Sequence, residues 1–150
     1  MPKLTEATKE QFIARFAKIQ PNAQPLWGKM TGAQMIGHVD DVLRYTLCET
    51  PLVPFRGNFK FQYIFAPLLL NGILKFPKNV QIPRSKGAPP LEMRDGDLES
   101  FKKNIDRVLA EAREGTFKPP HHPYFGNIGP DRWLKFHGAH FDHHLRQFGV

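Results

Sequence analysis

Four of the chain's seven histidines fall within "HGAHFDHHLRQF", residues 137–148. An imidazole can offer a neutral nitrogen to a metal ion or move a proton near neutral pH, so spacing decides what such a cluster can do. Stepping about 100° per residue along a helix puts Trp133, His137, His140, Phe141, His144 and Phe148 on one arc. His143 then lies to the side and Asp142 points away. His140 and His144 have the i, i+4 spacing of H-x-x-x-H zinc helices and can converge on one ion. His137 lies about two turns from His144, too far to share that ion, and reads as a group behind the ligands or facing a substrate.

A third ligand must come from elsewhere, and His38 is the candidate. It sits at the edge of the apolar arc of an earlier helix, with Gln34, Asp41 and Tyr45 along nearly the same line, one turn apart. Bundles commonly assemble metal sites from side chains on facing helices, and three imidazoles with remaining positions open describe a catalytic site, not a closed structural one. Asp41 and Tyr45 are then candidates to orient ligands or move protons. The plainer readings stand beside this one: His38 as a satisfied boundary histidine, and Asp41 and Tyr45 as solvated helix-face residues. His121 and His122, in "PPHHPYFG", either line the mouth of the site or are ordinary loop residues. Cys48 lies about two and a half turns beyond His38 and receives no catalytic role.

The elements that would hold these residues read as helices. The first is expected over 5–19, capped by Thr5 or Thr8, with Phe12, Ile13, Phe16 and Ile19 at helical spacing and Pro21 and Pro25 beyond it. The second opens on a Thr31–Gln34 capping box, with Met30 and Met35 placed for a hydrophobic staple, and runs to about Leu47. A broken helix is expected over 59–75 with a kink or restart at Pro67. A Pro- and Gly-rich loop at 77–96 follows, long enough to be a lid. Asp97 and Gly115 bracket the next helix, and "GPDRW" opens the last. No alternating strand pattern of convincing length appears. The expected architecture is therefore all-α: an up-down four-helix bundle with an extra broken helix and long loops, in a single domain over 1–150.

Composition narrows the partners. The net charge of +7 suits acidic ligands, but the basic residues form no dense run and no nucleic-acid-reading motif, so a general surface excess, or attraction of anionic substrates into a cleft, is the better match. The apolar stretch "FQYIFAPLLLNGILKF" at 61–76 is too short and too interrupted to span a membrane and reads as buried core in preference to a membrane-surface element. No membrane partner is expected. A single cysteine and an N-terminus without an apolar signal-like segment fit a cytoplasmic protein.

At two blocks the chain resembles a known superfamily. "LWGKMTGAQMIGHVDDVLRY" is similar to the second helix of the DinB/YfiT-like proteins, and "HFDHHLRQF" to their late H-x-x-x-H-x-x-Q, with Gln147 in place. The fuller pattern, with "HPYFG" upstream, looks like a branch of unassigned function. The resemblance implies a bundle of that type with a divalent ion on His38, His140 and His144. Relatives with assigned chemistry use a low-molecular-weight thiol that the metal activates, and homodimers are common. On these grounds the chain is expected to be a metal-dependent enzyme. Zn or Ni, chosen by the imidazole ligands, would activate a thiol or water for transfer to, or hydrolysis of, a small molecule. The alternatives are a non-catalytic metal or small-ligand binding protein, a basic nucleic-acid-associated protein, and a bundle whose histidines are structural.

Overall fold

In a computed structural model that describes residues 3–78 and 93–150, each expected helix is present and most begin where local chemistry says they should. Thr5 caps α1 (Glu6–Phe16) in a reciprocal box with Thr8. Thr31 and Gln34 do the same for α2 (Gly32–Thr46), so two otherwise unpaired backbone donors are satisfied at each start. A π-helical turn, Phe61–Phe65, runs into the short α3 (Ala66–Leu70), which carries Pro67 in its first turn. Asp97 accepts from the Ser100 N–H to start α4 (Leu98–Glu114), and Gly115 ends it at φ 73°. That left-handed conformation suits glycine best. Helix α5 (Gly129–Gln147) opens with Pro130 and Asp131 in its first turn. Among the described residues there is no strand, only an isolated bridge between His122 and Gly126.

Four helices close a ring, because α1 and α2 each pack on both α4 and α5. Residue pairing gives their directions. Lys9 meets Asp106 and Phe16 meets Phe101, so α1 and α4 are antiparallel. Leu4 bonds Leu134 and Phe12 meets Phe141, so α1 and α5 run together. Helices α2 and α5 are antiparallel, since Tyr45 faces Trp133 while His38 faces His140. Helices α2 and α4 are parallel: Gly96 donates to Ala33 O at 2.8 Å and Asn104 to Asp40 at 2.7 Å. The strictly alternating up-down order expected from the sequence is thereby corrected. The long connection after α2 carries the chain back along the bundle, so α4 starts beside the start of α2.

Two features lock this parallel pair. A Cβ on Gly37 would stand 2.2 Å from Arg94 O, and one on Gly96 2.1 Å from Gly37 N, so the two backbones meet where only glycine fits. Asp40, fully buried, accepts from Arg94 at 2.8 Å, Ser100 at 3.1 Å and Asn104 at 2.7 Å. A buried carboxylate demands such partners. The core beneath is aromatic, with Phe12, Phe16, Phe101 and Phe141 packed edge to face, an arrangement that favours ring quadrupoles.

Two expectations change. Helix α1 ends at Phe16 instead of reaching 19, because the chain turns ahead of Pro21. The stretch 61–76 is only partly core: Ala66, Leu69 and Leu70 are buried, while Phe61, Tyr63, Ile64, Phe65, Ile73 and Leu74 are exposed. Hydrophobicity alone does not say which face of a short element finds a partner. Most of the suggested lid lies outside the described residues; its C-terminal end, at Arg94 and Gly96, is fastened to α2.

Candidate metal centre

Antiparallel pairing of α2 with α5 brings three of the seven histidines together. Nε2 of His38 and Nε2 of His144 each lie 3.0 Å from Nε2 of His140. One ligand atom from each ring falls within 4.8 Å of the other two. Donors sharing a tetrahedral ion at Zn–N distances of about 2.05 Å stand about 3.3 Å apart, so the cluster needs little adjustment to close on one.

Hydrogen bonding shows why these rings suit a cation. Gln147 donates from Nε2 to Trp27 O at 2.7 Å, which turns its Oε1 towards His144. Nδ1–H of His144 donates to that oxygen at 2.8 Å, leaving Nε2 of His144 with a lone pair facing the centre. Nε2 of His140 can then either donate to His144 or accept from His38, so only one of the two 3.0 Å contacts can be a hydrogen bond at a time. A cation accepts all three lone pairs. Burial pushes the pKa of all three rings below the ordinary histidine value, furthest for His140 and His144, and the neutral form so favoured is the one that ligates.

The surroundings are apolar on the α5 side. Phe136 stacks on His140 with ring centroids 5.3 Å apart. Phe76 reaches the rings of His140 and His143 at 6.1 and 5.6 Å, and Trp27 lies 5.9 Å from His143. His140 and His144 are buried, whereas His38 is half-buried and so the most exposed of the three.

The other sequence candidates go elsewhere. Antiparallel packing sets His137 against the end of α2, where Nε2 meets Thr46 Oγ1 at 3.3 Å in full burial; it is a core residue, and its pKa is pushed down to about 3. Tyr45 donates its hydroxyl to His121 O at 2.9 Å, and burial raises its pKa. Asp41 stands at the rim, held by Arg94 Nε at 2.7 Å, while its charge favours protonation of His38. His121 and His122 are loop fasteners. His121 bonds Val53 O at 2.8 Å. Nδ1 of His122 accepts from the N–H groups of Tyr124 and Phe125, with its ring stacked on Phe125. Sequence spacing alone did not single out Trp27, Phe76 or Arg94, because each comes from a loop whose path helical periodicity does not describe.

Residues 7–149 match the family described as "Protein of unknown function (DUF1569)", and the chain belongs to that family. Comparison with curated proteins and with solved structures gives no match.

Proposed function

We propose that the chain is a metal-dependent protein whose divalent ion, Zn or Ni, is held by Nε2 of His38, His140 and His144. The observation carrying this is the convergence of three imidazole nitrogens, one of the rings oriented by Gln147. When bound, such an ion lowers the pKa of a thiol or water and yields a nucleophile near neutral pH. The chain's own residues would then act on a small molecule. Phe76, Phe136 and Trp27 shelter the α5 side of the centre from water, and the half-buried His38 side admits the substrate. The resemblance to DinB/YfiT-like proteins supports thiol transfer as the reaction, with hydrolysis as the second possibility.

One observation favours a non-catalytic binding role instead. Asp41 is paired with Arg94 and the Tyr45 hydroxyl with a carbonyl, so neither proton-moving candidate is idle. Metal analysis of untagged protein decides the first question: near-stoichiometric Zn or Ni in the wild type, lost in His140→Ala, supports the site, and no uptake after incubation with either ion overturns it. Turnover across a panel of thiols and electrophiles then separates enzyme from binder.

A further inference from the structure

The aromatic segment between α2 and α4 is anchored on one side and bare on the other. Ala66, Leu69 and Leu70 hold α3 to the core, and α3 packs on α5. Gln62 seats against Gly126, where a Cβ would stand 2.4 Å from its amide nitrogen. The rings pair within the segment, Phe59 with Tyr63 at 4.8 Å and Phe61 with Phe65 at 5.5 Å, and Phe61 also meets Tyr124 at 6.2 Å. Phe59 is 71% exposed, Tyr63 61% and Ile73 69%, and Ile64 and Leu74 are exposed as well. Soluble surfaces seldom leave so many large apolar side chains of one segment uncovered.

Charge identifies the partner. Residues 50–78 contain Arg56, Lys60, Lys75 and Lys78 and not one acidic residue, so this span carries +4 of the chain's net +7. A two-fold contact between copies would set that positive surface against itself. Nucleic acid would satisfy the charge and stack on the rings, but Ile64, Ile73 and Leu74 offer bases no stacking face. Exposed Phe, Tyr, Ile and Leu in one span that carries lysine and no carboxylate match the interface of an anionic bilayer. There apolar groups enter the acyl boundary and lysines meet headgroups.

We propose that the exposed apolar side chains of this segment, Phe59, Phe61, Tyr63, Ile64, Ile73 and Leu74, dock the protein peripherally on an anionic lipid surface. The aromatic and aliphatic side chains insert, and Lys60 and Lys75 bind headgroup phosphates. The described helices contain none long and apolar enough to cross a membrane, so the attachment is to one leaflet. It does not depend on the metal centre.

Cosedimentation of the full chain tests this with vesicles of phosphatidylcholine alone and of equimolar phosphatidylcholine and phosphatidylglycerol. Binding is expected to the mixed vesicles and not to the neutral ones. Lys60→Gln and Lys75→Gln should each weaken it about fivefold, and Phe59→Ser with Tyr63→Ser should remove it while circular dichroism and melting stay as in the wild type. His140→Ala should bind as the wild type does, which separates this proposal from the metal reading. Three results would overturn it: no binding to anionic vesicles, binding that survives loss of both rings, or equal binding to neutral vesicles. Ring-dependent self-association or single-stranded DNA binding, without vesicle binding, would reassign the segment and overturn the proposal as well.

Discussion

Helix α5 carries two kinds of buried histidine one turn apart. His137 has Thr46 as its partner and is enclosed by Trp133, Phe136 and Phe141. His140 and His144, equally hidden, face each other and His38. Burial alone therefore does not distinguish an imidazole packed in the core from one placed where it could ligate an ion. What distinguishes them is what one ring nitrogen meets: the Thr46 hydroxyl for His137 Nε2, backbone N–H groups for His122 Nδ1, and other imidazoles for Nε2 of the triad.

The sharpest way to break this contrast is His140→Ala. Bound Zn or Ni should fall from about one ion per chain to near none by elemental analysis, because a two-histidine remnant is a weak site. His137→Ala should leave metal content unchanged but lower the unfolding free energy by about 2–4 kcal/mol in denaturant titration, through the cavity left in the core. If His137→Ala instead removed the metal without loss of stability, the assignment of roles would be reversed. Gln147→Leu should weaken metal affinity by about 10–100-fold in chelator competition, since it frees the Nδ1 edge of His144 that now fixes the ring. Loss of affinity no greater than for a distant surface variant would show that Gln147 merely packs.

Taken per unit of pH, the last effect is the smallest. His122 and His137 both have pKa values pushed down to about 3 by burial. The unfolded chain binds more protons than the folded one between about pH 6.5 and 3, so stability rises with pH across that window. The full contribution is present above about 6.5 and is lost as pH falls towards 3. Each ring should add about 1.4 kcal/mol per pH unit to the slope within the window. His122→Asn should flatten the slope of the metal-free protein by one such share, and an unchanged slope would show that His122 is protonated in the fold.

Much of this was legible in the residues. The Thr31–Gln34 box, Asp97 and Gly115 mark helix ends because capping is local chemistry. The α5 arc is also a local property: Trp133, His137, His140, Phe141 and His144 are all buried as their spacing requires. The meeting of His38 with His140 could be expected because His140 lies on the arc of α5 that carries its large apolar residues and His38 at the edge of the apolar arc of α2. Helix direction could not, since periodicity is blind to whether α4 runs with α2 or against it. The roles of Asp40 and Arg94 escaped for a related reason. Their pairing depends on the end of a loop reaching back to α2, and nothing in a single helix pattern encodes that path. The segment 61–76 misled because a run of apolar residues looks the same whether one face or both are covered.

His38 and His140 stand 102 positions apart in the chain. During synthesis, domains form as the chain emerges from its N-terminal end, so His38 waits on α2 with neither of its two companions until α5 has been made and has docked. The centre is therefore the last part of the frame to be completed. A nascent or truncated chain lacking α5 would present a single histidine at this position, so the three imidazoles meet only once the whole bundle has closed.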